Sequence, residues 1–186
     1  MIMKSYLHHL LAGLRIMALL TVILGALYPL AIWGIGHVLA PGKAEGSIVT
    51  ANGREVGSRL IGQQFTGKEW LWGRPSAADY DGRASGSSNL GPNSPELLKT
   101  VTGLKEIRGA KAPADALTTS GSGLDPHIST TWAQQQVERI AKARGVETGR
   151  VQQCIDEATR GRRLGFLGER TVNVLEANMC LHALGK

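Results

Sequence analysis

The first forty of the 186 residues contain no aspartate or glutamate, and the first acid is Glu45. That absence excludes an ordinary solvated surface for this stretch, because globular chains are about one-quarter charged. Lys4 and Arg15 are its only formal cations. The other 19 cations and all 15 acids follow, so residues 41–186 carry +4 of the formal +6. Cysteine is scarce, with Cys154 and Cys180 alone. Neither a densely stapled scaffold nor a Cys-x-x-Cys site is therefore available. No Gly-x-Ser-x-Gly elbow, Walker A loop, His-Glu-x-x-His or EF-hand loop occurs, and no Gly-x-Gly-x-x-Gly follows a strand. These absences remove the commonest hydrolase, nucleotide, zinc and calcium signatures. The 24 glycines follow no fixed period, which excludes collagen.

What is present first is a run of 21 uncharged residues, Ile16 to Gly36. As a helix it spans roughly 31 Å, enough for a hydrocarbon core of about 30 Å. A cleaved signal peptide has a shorter apolar region, of about 7–15 residues. The nearest cleavage-like triplet, Val38-Leu39-Ala40, is followed by Pro41. A buried core helix rarely stays apolar on every face for this length. The reading is an uncleaved single-pass anchor: residues 1–14 a cytoplasmic tail, 15–37 a transmembrane helix, 41–186 a domain outside the cytoplasm. Tyr6 and Trp33 mark the two interfaces. Thr21, Gly25 and Pro29 recur at four-residue spacing and share one face. Small residues on one stripe let another helix approach, and Pro29 should kink the helix near Gly25. The plain alternative is a lipid-facing helix with incidental glycine.

The remainder suffices for one cored domain. Asn52-Gly53 between 47–50 and 55–60 reads as a hairpin. Trp70-Leu71-Trp72 suggests a short strand or a packing plug. Residues 73–95 are rich in Gly, Ser, Pro, Asn and Asp, and read as a flexible linker or a long ordered loop. Ser94-Pro95-Glu96 opens a helix with Leu97, Leu98, Val101, Leu104 and Ile107 on one face, stopping at Gly109. A second loop, 112–128, precedes a helix capped by Ser129 and ending at Gly145. Another helix runs from Thr148 to Gly161, and a last one from about Asn173 to Leu184. Strands and helices do not alternate, so the fold class expected is α+β, one transmembrane helix followed by a single extracytoplasmic α+β domain.

Asp125-Pro126-His127 beside Ser120 and Ser122 invites a membrane-tethered hydrolase using Asp125, His127 and a loop serine. Asp-Pro turns with flanking Ser and Gly arise equally from loop chemistry. Ser85, Gly86, Ser87, Ser88 and Asn89 can form an anion-binding nest of backbone amides, or a turn-rich loop. Cys154 and Cys180 can pair across two helices, or sit as buried small hydrophobes. The basic balance invites nucleic acid or anionic lipid. A +4 domain without a basic run interleaved with aromatics argues against both.

Six segments in order carry a resemblance: LIGQQF at 60–65, WGRPSA at 72–77, SGSSNLGP at 85–92, SGSGLDPHIS at 120–129, VERIAKARG at 137–145 and RRLGFLGERTVNVLEAN at 162–178. With the span ending in LYPLAIWGIG, they resemble the C subunit of the bacterial Kdp potassium-transporting ATPase, KdpC. Ser87 stands where that family usually has a second glycine, and the cysteines are not family hallmarks. The resemblance implies a single-span inner-membrane subunit, assembling in the lipid bilayer with the channel-like KdpA, the P-type ATPase KdpB and the small helix KdpF. It also implies a chaperone-like rise in ATP binding by the pump subunit; ATP is implied by the family alone. Loop residues Arg74, Asn89, Asp125 and His127 are the expected partner-docking groups, with Thr21, Gly25 and Pro29 packing in the span.

Overall fold

The acid-free amino-terminal run folds as one long helix in the computed structural model, which describes residues 2–51 and 53–185. The chain divides into two units, Met1–Ile48 and Val49–Lys186. In the first, α1 (Ile2–Val22) passes through a π-helical turn (Ile23–Leu27) into α2 (Tyr28–Leu39), and a single turn, α3 (Pro41–Ala44), follows. Residues 2–14, expected as a tail, are thus helical. The cause of the π turn is local. Pro29 has no N–H to give the Gly25 carbonyl, and the ladder widens so that Tyr28 N–H reaches Ile23 O. The irregularity falls where the kink was expected. Tyr6–Leu39, 34 residues, is apolar and long enough to cross a membrane, and none of its residues is buried within this chain. At about 1.5 Å per residue it is longer than a hydrocarbon core of about 30 Å.

The second unit mixes helix and sheet. β1 (Ile48–Ala51) and β2 (Arg54–Ser58) form a two-stranded sheet. Gly53 lies in its turn at φ +75°, and Asn52 lies outside the described residues. Then come α4 (Pro95–Arg108), α5 (Ala114–Leu117), β3 (His127–Ser129), α6 (Thr130–Gln135), α7 (Val137–Arg144), α8 (Thr148–Glu157), β4 (Thr159–Arg160), β5 (Thr171–Asn173) and α9 (Val174–Ala183). β5 is the central strand of an antiparallel sheet ordered β3-β5-β4, with Val172 opposite Ile128 on one side and Thr159 on the other. Ile128 and Val172 enter a core with Leu71, Trp132, Ile140 and Leu181.

Several expected boundaries shift, each for a tertiary reason. Trp70-Leu71-Trp72 is not a strand but a plug. Leu71 is fully buried, and the backbone of Leu71 and Trp72 is met by side-chain amides of Asn178 and Gln136. The helix from Ser129 to Gly145 is two helices, broken at Gln136, whose amide turns to Trp72. The helix from Thr148 stops at Glu157 because Thr159 and Arg160 pair with β5. α4 begins as expected, with Ser94 Oγ accepting from Leu97 N–H, but buries none of its residues: Leu98 is 68% and Ile107 70% exposed. Cys154 in α8 and Cys180 in α9 are disulfide-bonded, with Cα atoms 5.4 Å apart.

Candidate functional site

The two Gly/Ser-rich loops, 73–93 and 112–128, fold onto each other. Ser76 Oγ donates to the Gly123 carbonyl at 2.6 Å, while the Gly86 N–H and the Ser85 hydroxyl both reach the Ser122 carbonyl, at 2.8 and 3.1 Å. The approach demands bare backbone. Gly123 has φ +68°, and a Cβ there would lie 2.6 Å from Gly86 O. Gly62, from the segment before the loops, donates to Leu124 O at 2.7 Å, and a Cβ on it would meet Asp125 O at 2.7 Å. The region is an ordered unit, not a linker.

Inside this unit Arg74, Asp125 and His127, three of the four loop residues expected to dock a partner, come together. Arg74 donates to Asp125 Oδ2 at 3.3 Å and to the Thr119 carbonyl at 3.1 Å. Asp125 Oδ1 accepts the His127 N–H at 2.9 Å and lies 3.5 Å from His127 Nδ1. Burial alone would raise the Asp125 carboxyl. Hydrogen bonds from the His127 ring and backbone, with the Arg74 charge, outweigh it and hold the group below its usual range. Asp125 thus turns the start of β3 against the first loop. Among the described residues no serine hydroxyl hydrogen-bonds the His127 ring; Ser120 Oγ sits instead 3.3 Å from Ser122 Oγ. Among the described residues the Asp–His pair is therefore not joined by a hydrogen bond to a serine hydroxyl, as a triad would be.

Two residues that sequence reading missed complete the unit. Tyr80, at φ +57°, gives its hydroxyl to the Arg74 carbonyl at 2.5 Å. Burial raises the Tyr80 pKa, opposed by Arg108. Arg108, at the end of α4, donates to the carbonyls of Gly73 and Ala116 at 2.8 and 3.0 Å. A lone aromatic in a polar loop and a basic last turn are the only sequence signals for them. Of the nest residues, the Gly86 amide is spent on the loop pairing, whereas Asn89 is exposed at φ +53°. In the first unit, Thr21 Oγ1 turns back to the Met17 carbonyl at 2.8 Å, leaving its methyl outward beside Gly25. A separate cleft of about 860 Å³ opens between the β1–β2 sheet and α9, lined by Val56, Phe65, Trp70, Met179 and His182 among others. Among the described residues no group of three His, Cys, Asp or Glu is placed to hold a metal.

Comparison with known proteins gives one consistent answer. The family described as K+-transporting ATPase, c chain, KdpC, matches residues 10–183. A potassium-transporting ATPase KdpC subunit of Kineococcus radiotolerans is 51% identical over 183 residues, covering 92% of this chain and 91% of its own. The protein of that name from Janthinobacterium sp. is 48% identical, with 91% and 95% covered. The one from Cereibacter sphaeroides is 45% identical, with 98% and 100% covered.

Proposed function

Because the chain belongs to the KdpC family, the c chain of the K+-transporting ATPase, we propose that it is a non-catalytic, single-span subunit of an ATP-driven potassium importer. Its partners in this reading are KdpA, KdpB and KdpF in a bacterial inner membrane, with residues 41–186 outside the cytoplasm. The match along nearly the whole chain carries the proposal. Three features support it. One apolar helix of 34 residues suits a single anchor. The Cys154–Cys180 bond suits an oxidising compartment. The Asp125–His127 pair, with Arg74, holds a strand end and a loop together, a structural use of these side chains.

The domain acts by docking on the ion-selecting subunit through the exposed end of the interlocked loops, where Asn89 stands. Arg74, Asp125 and His127 shape that end and do not themselves offer free charge. The effect on ATP binding implied by the family travels through the assembled pump, since nucleotide is not supplied outside the cell. The deciding experiment purifies the pump with and without this chain. Assembly and potassium-dependent ATP hydrolysis should both fall when it is omitted. A pump that assembles and turns over normally without it would remove the proposal. Compartment is tested separately by alkylating thiols in intact cells: Cys154 and Cys180 should be oxidised before lysis, and free thiols there would place the domain in the cytoplasm.

A further inference from the structure

Between β4 and β5 the chain makes a small arm whose tip is apolar and open to solvent. Leu164 is 81%, Phe166 70% and Leu167 51% exposed. The arm is ordered: Arg163 and Leu167 exchange both backbone hydrogen bonds at 2.9 Å, closing a three-residue turn. Leu164 takes φ +52°, a conformation disfavoured for a side chain of this size. A leucine held there and turned outward is not explained by packing within the domain. The base of the arm is basic. Arg162, Arg163 and Arg170 are all exposed, and among the described residues none lies within ion-pair distance of a carboxylate. Arg160 differs, because Glu176 takes it. Glu169 is the only acid in the arm.

We infer that the Arg162–Arg170 arm is a membrane-surface contact, inserting Leu164 and Phe166 among acyl chains while Arg162, Arg163 and Arg170 bind anionic phospholipid headgroups. The inference rests on the anchored reading above. Apolar side chains ahead of a ring of arginines match the layering of an anionic lipid surface, apolar beneath and negative above. A protein partner fits less well. A specific interface buries about 800 Å² on each side, and one three-residue turn supplies a small part of that. A lipid surface needs no shape match, and an anchor in the same chain keeps the local lipid concentration high.

The test uses the full chain in lipid nanodiscs and follows trypsin cleavage after Arg162, Arg163 and Arg170. Cleavage after Lys105, on exposed α4, is the internal reference. In discs with phosphatidylglycerol the arm sites should be cut about tenfold more slowly than in phosphatidylcholine discs, a difference that 0.5 M salt largely removes. Leu164→Asp with Phe166→Asp should abolish the protection, as should Arg162→Gln with Arg163→Gln and Arg170→Gln, which is read at Phe166 by chymotrypsin. Equal cleavage in both discs overturns the lipid contact while leaving the anchor intact. Protection that appears only when the other pump subunits are added overturns it in favour of a protein surface. A chain that does not enter nanodiscs at all overturns the anchored reading and this inference with it.

Discussion

Asn178 occupies both backbone polar groups of Leu71, a residue 107 positions earlier. Its Oδ1 accepts the Leu71 N–H at 2.8 Å and its Nδ2 donates to the Leu71 carbonyl at 3.0 Å. Gln136 does the same for Trp72, at 2.8 and 3.2 Å. Two side-chain amides, one from α9 and one from the α6–α7 junction, thus stand where a neighbouring strand would be. They let a segment with no strand partner cross the core with its backbone satisfied.

Asn178→Ala leaves a buried donor and a buried acceptor unpaired, so it should lower stability by about 2–4 kcal/mol. Asn178→Asp retains the size and one acceptor but loses the donor and places a charge in the core, so it should cost at least as much. Denaturant titration of the detergent-solubilised full chain measures both. Asn178→Ala within about 0.5 kcal/mol of the parent would show that the amide is dispensable.

Asp125 should make stability fall in acid. A carboxyl held low in the fold contributes above its unfolded value of about 3.9, and that contribution is lost as pH falls through the folded value. The loss should therefore develop below about pH 4. The carboxylate is partly exposed, so its contribution should be only about 1 kcal/mol. Asp125→Asn keeps an acceptor for the His127 N–H and removes the charge. Its melting temperature should be lower than the parent's at neutral pH and converge with it in acid. Parallel curves across that range would assign the acid sensitivity to other groups.

The disulfide closes a separation of 26 residues between α8 and α9. Replacing both cysteines by alanine should cost about 3 kcal/mol, mainly through the unfolded chain. The parent treated with reductant should approach the same stability. A reduced parent as stable as the oxidised one would mean that packing, not the bond, holds these helices.

Local signals were readable in the sequence and distant ones were not. The Ser94 and Asn173 caps and the Gly145 stop at φ +67° depend on neighbours within four residues, and each helix end lies where its residues placed it. The break at Gln136, whose amide meets Trp72 64 positions away, left no mark in the apolar spacing of that stretch. The α4 stripe illustrates the opposite failure. Its apolar spacing is genuine, yet only Val101 and Leu104 lean on the core, while Leu98 and Ile107 face out. For the loops, the pairing of Asp125 with His127 was legible from their adjacency, and the Arg74 contact across 51 positions was not. The interlock was not, because it uses glycine backbone and carbonyls, which carry no side-chain signature. The cysteines were undecidable without their 5.4 Å Cα separation.

The anchor offers the cleanest test of partner packing. A Cβ on Gly25 would meet only Thr21 Cγ2, at 3.9 Å, which is ordinary contact. Gly25→Leu therefore leaves the helix itself undisturbed and adds bulk only outward. If Thr21, Gly25 and Pro29 form a face against another helix of the pump, that bulk separates the two backbones. Copurification of the other subunits in detergent should then drop by about tenfold, equivalent to ~1.4 kcal/mol of lost packing. Membrane insertion and the stability of the Val49–Lys186 unit should not change, since neither depends on that face. Gly34→Leu is the control, because Gly34 also has open space around it and lies outside the stripe. If Gly25→Leu copurifies as well as Gly34→Leu, the stripe faces lipid and the span is a tether only.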